Sequence, residues 1–186
     1  MGLRSIGENR VKEAIEKFQL FEKMPKMLKM KKRFIGHLQS NKVKKCVGSF
    51  DTIDSIHSMK ILKKVSNECE RLNKTIEVLL QVNTSGEKQK TGFQMDNIEE
   101  IIKCYEVPNV DITGLMTMAP YTRDKNLIRE TFSLLRDIKE KMNKYLGKNQ
   151  VKHLSMGMSN DYEIAIEEGS TQIRLGTVLF GLRKKA

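Results

Sequence analysis

The chain has 186 residues, 39% of them hydrophobic, and this length is enough for one domain with a substantial core. No stretch approaches the ~18 consecutive apolar residues of a membrane-spanning helix. The first residues also lack the apolar centre of a secretory signal peptide. We therefore expect a single domain in the cytoplasm, without a membrane partner.

The formal net charge of +11 admits two interpretations. A basic chain can bind nucleic acid or another anionic surface. The lysines are spread along predicted helices, however, and no basic run alternates with the aromatic side chains that single-strand binders use for stacking. We interpret the charge as that of solvated helix faces, so nucleic acid is not an expected partner.

The cysteines and histidines do not form a recognisable framework. The cysteines are odd in number and widely spaced, which indicates reduced thiols rather than disulfides. Neither residue type has the spacing of a metal site. The residues concerned are Cys46, Cys69, Cys104, His37, His57 and His153.

Predicted strands alternate with predicted helices along the whole chain, which is typical of a parallel α/β protein. Neither a GxGxxG turn nor a P-loop is present, and this favours a (β/α) barrel over a nucleotide-binding open sheet. A closed barrel of this type has eight strands, so one strand is missing. The predicted strands lie near 3–6, 34–38, 51–56, 76–82, 112–117, 151–156 and 172–180.

Residues 22–33, which read EKMPKMLKMKKR, alternate basic side chains with methionine. A basic amphipathic segment can bind a membrane or a partner helix. Because the segment is short and contains Pro25, we predict a solvated helix or a connection instead.

The stretch from Leu154 to Gly181 combines a strand, a helix and a second strand. Asn160 is a candidate N-cap for the helix, and Gly169 stands where the helix would end in a left-handed turn. The second strand is predicted to continue to residue 180.

The same stretch contains the elements of an anion site. Gly176 and Thr177, with Ser159 before the helix, offer backbone and hydroxyl donors that can approach a phosphate closely. Arg174 supplies a cation beside them. In many barrels the phosphate site follows the last two strands, and the predicted cradle has that position.

Five motifs, in one order, resemble the pyridoxal phosphate homeostasis protein family. They are GEN at 7–9, FIGHLQSNK at 34–42, VNTSGEKQKTGF at 82–93, GLM at 114–116, and LSMGMS with GSTQIRLGTVLFG between 154 and 181. The resemblance implies the barrel fold of the alanine racemase N-terminal domain, with seven of its eight strands present, over residues 1–186.

The resemblance also implies a binding site for pyridoxal 5'-phosphate. Arg174 would lie near the pyridine nitrogen, while Ser159, Gly176 and Thr177 would bind the phosphate. Asn41 would line the back of the ring, Met116 would pack beside it, and Lys90 would place a cation near the site. Taken singly, Arg174 could instead pair with a carboxylate, Asn41 could be an N-cap, and Met116 could be a core residue.

The sequence departs from the family pattern at its start. The family has an earlier strand, typically VSKTK, whose lysine forms a Schiff base with the cofactor, and the printed sequence contains no such motif. We therefore expect an N-terminally truncated member that binds the cofactor non-covalently. Arg10 and Arg33 are further departures, standing where the family usually has an aromatic residue and a histidine.

The implied function is to hold pyridoxal phosphate and deliver it without turnover, with pyridoxal-phosphate-dependent enzymes as recipients and the protein as a monomer. A second hypothesis is an amino-acid racemase, which needs two bases on opposite faces of the substrate. No such pair can be named here. A basic nucleic-acid-binding module is the third hypothesis, and only the charge supports it.

Overall fold

Strands and helices alternate in the computed structural model, which describes residues 3–21, 23–24, 29–87, 89–147 and 149–181. The strands are β1 (Ser5–Glu8), β2 (Lys31–Phe34), β3 (Thr52–Ile56), β4 (Ile76–Asn83), β5 (Phe93–Gln94), β6 (Val110–Met116), β7 (His153–Met158) and β8 (Gln172–Arg174). The helices are α1 (Val11–Phe21), α2 (Val43–Ser49), α3 (Met59–Arg71), α4 (Ile98–Lys103), α5 (Lys125–Leu146), α6 (Tyr162–Glu167) and α7 (Thr177–Phe180). Two 3₁₀ turns, Ser40–Lys42 and Cys104–Glu106, flank α2 and α4.

The described strands form one parallel sheet in the order β1-β2-β3-β4-β6-β7-β8, and the short β5 pairs with the end of β4. The sheet curls into a nearly closed barrel with helices outside it. Among the described strands, β1 pairs only with β2 and β8 only with β7. The predicted α/β barrel architecture is confirmed.

The apolar core lies between the sheet and the helices. On β4 the alternate residues Ile76, Val78, Leu80 and Val82 belong to one buried cluster with residues of the helices. Because successive side chains of a strand point to opposite faces, Glu77 and its alternate neighbours face the inside of the barrel. The interior is therefore the polar side of the sheet.

Charged side chains pair with one another on that interior face. Arg33 of β2 donates to the Asp54 carboxylate of β3 at 3.1 Å, and the Thr52 hydroxyl donates to the same carboxylate at 2.8 Å. Lys31 donates to Glu77 of β4 at 2.6 Å. Burial raises the pKa of Asp54 above its usual range, while the charge of Arg33 opposes that shift. Three neighbouring strands are thus linked by ion pairs inside the barrel.

Five predicted strands lie within two residues of their observed bounds, and the other two differ by more. The strand predicted near 34–38 lies at 31–34, because Lys31 and Arg33 find carboxylate partners inside the barrel and so can occupy a half-buried strand. The strand predicted over 172–180 ends at Arg174, and residues 177–180 form the helix α7.

The first of these differences also corrects the prediction for residues 22–33. Its last three residues belong to β2 and not to a solvated helix or connection. Residues 22 and 25–28 of that prediction lie outside the described residues.

The helix α6 begins one residue later than predicted. Its N-cap is Asp161, not Asn160, and an Asp161 carboxylate oxygen accepts a hydrogen bond from the Met158 backbone N–H at 2.5 Å. The predicted end is confirmed, since Gly169 has φ of +89°, a left-handed conformation that glycine adopts at little energetic cost.

Three further expectations concern membrane-spanning helices, disulfides and metal sites. Within the described ranges, no helix is long and apolar enough to cross a membrane. The three cysteines are buried and free. The described part of the chain also has no group of three or more His, Cys, Asp or Glu residues that could hold a metal ion.

Glu168 makes stability depend on pH through its contacts with α5. Arg129 donates to its carboxylate at 2.7 Å, and Arg136 pairs with it as well. The hydrogen bond from Arg129 is the main cause that lowers the pKa of Glu168 below its usual value. Because the carboxyl pKa is depressed in the folded state, the stabilisation is present above the pKa of the unfolded chain and is lost as the pH falls through the folded value.

A Glu168→Gln variant is accordingly expected to lose less stability than the wild type when the pH is lowered from neutral to ~3. Urea unfolding at a series of pH values measures this difference. The matched control is Glu140→Gln, on the exposed side of α5, which should follow the wild-type profile. Parallel profiles for wild type and Glu168→Gln would contradict the assignment.

Candidate functional site

Arg174 occupies the end of β8 and connects the last strands of the sheet. Its Nη1 donates to the Ser155 Oγ on β7 at 2.8 Å, and its Nη2 donates to the Thr117 carbonyl after β6 at 2.8 Å. Its direct partners are therefore a hydroxyl and a carbonyl, and not the carboxylate of the alternative interpretation. The two bonds fix the guanidinium group, at the end of β8, against the middle of β7 and the carboxyl end of β6.

The guanidinium of Arg174 remains a cation at neutral pH. Burial lowers its pKa to about 10, while the negative charges of Asp54 and Asp161 act in the opposite direction. A ligand nitrogen placed against this group would meet a donor that keeps its proton.

The predicted phosphate cradle begins two residues after Arg174 in the chain. Ser159 Oγ accepts hydrogen bonds from the backbone N–H groups of Gly176 at 3.2 Å and Val178 at 3.3 Å. A Cβ atom added to Gly176 would meet nothing within 4 Å, so the space beside its backbone is open. These donors begin α7 at Thr177, where a sequence of N–H groups favours an anionic ligand. The arrangement fits a phosphate group.

A hydroxyl network holds the carbonyl to which Arg174 donates. The Thr117 Oγ donates to the Val82 carbonyl at 2.9 Å and lies 2.8 Å from the Thr84 Oγ. Thr84 and Thr117 are both buried. The ends of β4 and β6 are thereby joined directly behind the site.

Comparisons with known proteins place this geometry in a family. A family model described as the alanine racemase N-terminal domain matches residues 1–184. A pyridoxal phosphate homeostasis protein from Aquifex aeolicus is 39% identical over 184 residues, which cover 98% of this chain and 78% of that relative. The chain belongs to the pyridoxal phosphate homeostasis protein family.

Other members of the family and more distant structures agree with this. The human pyridoxal phosphate homeostasis protein is 36% identical over 198 residues, covering 98% of this chain and 69% of the relative. PipY of Synechococcus elongatus, solved with pyridoxal phosphate bound, is 32% identical with a TM-score of 0.88, over 97% of this chain and 82% of PipY. An alanine racemase from Clostridium difficile, 16% identical with a TM-score of 0.80 over 99% of this chain and 46% of its own, shares the fold.

Met116 and Asn41, two further residues implied by the family, lie at the same end of the barrel. Met116 ends β6, is buried, and pairs in register with Ser155. Since Leu115 belongs to the apolar cluster, Met116 faces the interior. Asn41 is exposed in the turn Ser40–Lys42, whose N-cap is Gln39, so the alternative role of Asn41 as a cap is wrong.

The Lys90 side chain contacts both its own loop and the segment that follows β6. Its Nζ donates to the Met118 carbonyl at 3.3 Å and forms an ion pair with Glu87. This bond brings Lys90 to the carboxyl end of β6. The roles of Lys90, Asn41 and Met116 toward a ligand stay predictions of the family resemblance.

The sequence analysis missed Ser155 and Thr117, which position Arg174. Both lie within or directly after motifs of the pyridoxal phosphate homeostasis proteins, since Ser155 is the second residue of LSMGMS and Thr117 follows GLM. Two hydroxyl residues at the ends of predicted neighbouring strands were an available signal. Which cation they would contact depends on the order of β6, β7 and β8 in the sheet.

Proposed function

We propose that this chain binds pyridoxal 5'-phosphate and serves in its homeostasis, holding the cofactor and delivering it to enzymes that depend on it. The observation that carries the proposal is a fixed cation, Arg174, followed two residues later in the chain by N–H groups gathered around Ser159. The shared family with proteins named for pyridoxal phosphate homeostasis supports it, as does the structure of PipY with the cofactor bound.

Each part of the site has a separate task in this proposal. The N–H groups of Gly176 and Thr177 and the hydroxyl of Ser159 would bind the phosphate, while Arg174 would contact the pyridine nitrogen. When bound, the cofactor supplies a reactive aldehyde and a conjugated ring that can accept electrons. Because Arg174 keeps its proton, it leaves the ring nitrogen unprotonated and weakens the ring as an electron acceptor. The arrangement favours storage of the cofactor over catalysis with it.

We propose further that binding is non-covalent and that the chain has no turnover of its own. A racemase would need a second base, for which a tyrosine is the candidate. Tyr121 is 98% exposed, and Tyr105 packs against the apolar cluster outside the sheet. Tyr162 begins α6 and lines a pocket with Ser159. An alanine racemase assay of the loaded chain tests this part, and substrate turnover would contradict it.

A cytoplasmic location stays a prediction.

The binding experiment is a titration with pyridoxal phosphate followed by absorbance, with gel filtration to show that the cofactor co-elutes. We expect saturable binding at one site. Borohydride treatment of the loaded chain and intact mass measurement then show whether the bond is covalent. A stoichiometric adduct would refute non-covalent binding, and Lys42 or Lys90 would be the first residues to test. The absence of saturable binding would refute the proposed function itself.

A Ser159→Ala variant separates the phosphate from the ring. Because this hydroxyl orders the N–H groups of Gly176 and Val178, we expect a loss of about 2- to 10-fold in affinity for pyridoxal phosphate, the usual size of one hydrogen bond. Affinity for pyridoxal, which has no phosphate, should not change. Equal losses for the two compounds would contradict the placement of the phosphate, and the Ser49→Ala change at a half-buried position of α2 is a control of the same chemistry.

A further inference from the structure

A groove lies between the first turns of α1 and α2, on the outside of the barrel. It has a volume of about 180 Å³, which is room for one large side chain. Val11, 6% exposed, and the half-buried Ile15 form its apolar floor. Each of these helix starts follows the carboxyl end of a strand, β1 or β2. The groove therefore belongs to the same end of the barrel as the candidate site.

The rim of this groove is strongly basic. Lys12, Lys42 and Lys45 line it, and Glu16 is the acidic residue among its lining side chains. Within the described residues, none of these three lysines forms an ion pair with a carboxylate of the chain. With three lysines and one glutamate, the rim has a net positive charge around an apolar floor, and this complements a surface in which acidic residues surround one apolar side chain.

The groove is also connected to the site through the chain. Lys42 is the last residue of the turn Ser40–Lys42, and the residue before it is Asn41, which the family resemblance places behind the cofactor ring. A partner that contacts Lys42 would therefore touch the turn that carries Asn41. Such a partner would approach the end of the barrel from which the cofactor must leave.

We propose that the groove formed by Val11, Lys12, Ile15, Glu16, Lys42 and Lys45 docks the enzyme that receives the cofactor, through an acidic surface patch with an apolar residue at its centre. This inference rests on the proposed function, because it assigns the recipient side of the same site. The apolar residue would anchor in the groove, and the charges would steer the encounter.

The test is a transfer experiment with the loaded chain. Apo-aminotransferases with an acidic and with a basic active-site entrance are mixed with it separately, and the recovery of aminotransferase activity is followed over time. Docking predicts that the transfer rate for the acidic acceptor rises with acceptor concentration and exceeds the rate of release into solvent. Added salt should lower that rate, since it screens the charges.

Charge reversal at the groove is the decisive variant. Lys12→Glu with Lys45→Glu is expected to lower the transfer rate constant about tenfold or more, within the range over which association rates vary among variants of one interface. Neither residue belongs to the cofactor site, so the affinity for pyridoxal phosphate should not change. The control is Lys141→Glu with Lys144→Glu, an equal charge change on exposed positions of α5, and it should transfer at the wild-type rate.

Two results would overturn the docking proposal. One is transfer at the rate of spontaneous release with every acceptor, and the other is an equal decrease in the groove and control variants. Binding of RNA at the groove, lost in the groove variant while transfer continues at the wild-type rate, would likewise overturn it and identify a different partner. A chain that does not retain pyridoxal phosphate on gel filtration would instead refute the proposed function, so the two failures are distinguishable.

Discussion

An Arg174→Gln variant is expected to bind pyridoxal phosphate about 10- to 100-fold more weakly than the wild type, which corresponds to the loss of a hydrogen bond to a charged group. The change removes the cation that Ser155 and Thr117 hold in place. The loss should be the same for pyridoxal, because Arg174 is proposed to contact the ring and not the phosphate. Titrations with both compounds, followed by absorbance, measure it.

Arg174→Gln should thus weaken the binding of both compounds, whereas Ser159→Ala should weaken only the binding of the phosphorylated compound. The two variants together therefore assign the orientation of the ligand. Arg71→Gln serves as the control, since Arg71 is exposed on α3 and pairs with Glu68 of the same helix. An Arg174→Gln variant with wild-type affinity and an unchanged far-UV spectrum would exclude Arg174 from the site.

An Asp54→Ala variant is expected to be destabilised by about 3–5 kcal/mol, the usual effect of removing one partner from a buried ion pair. The Asp54 side chain is 1% exposed and that of Arg33 15%, so the change leaves a largely buried cation whose remaining partners are the Glu77 carboxylate at 3.7 Å and the Thr52 hydroxyl at 3.4 Å. Urea unfolding measures the free energy. The exposed Asp96→Ala change should stay within about 0.5 kcal/mol of wild type.

A double variant tests whether the pair, and not Asp54 alone, is responsible. Arg33→Met with Asp54→Leu replaces both charges by apolar side chains and is expected to recover most of the lost stability. If its loss of stability equals the sum of the losses of Arg33→Met and Asp54→Leu measured singly, the two residues act independently.

The outer layer of this fold could be predicted from the sequence better than its interior. The apolar positions of α3 and α5 have helical spacing, and the buried run Ile76–Val82 could be assigned to a strand, because both patterns follow from burial against one core. Lys31 and Arg33 have no such pattern. Their strand is stabilised by Glu77 and Asp54, which lie far away in the sequence, so the start of β2 could not be found from local residues.

The candidate site shows the same division. Gly176, Ser159 and Arg174 lie in one motif, and a hydrogen bond joins Gly176 to Ser159 in the structure. Thr117 contacts Arg174 only because β7 joins β6 to β8 in the sheet. The end of β8 was also misplaced, since Val178, Leu179 and Phe180 are as apolar as a strand although they form α7. Residue type alone does not distinguish a short apolar helix from a strand.

The position of β8 at the border of the described sheet has a consequence for ligand affinity. β8 has three residues, pairs with β7 alone among the described strands, and has a register with β7 that is interrupted between Ser155 and Met158. Opening such a segment breaks one ladder of hydrogen bonds, whereas β4 has neighbours on both sides, so we expect faster amide exchange in β8 than in β4. Arg174 can hold a ligand only while β8 is closed. The measured affinity is then the intrinsic affinity multiplied by the closed fraction, and a substitution in β7 that never touches the ligand can weaken binding by lowering that fraction.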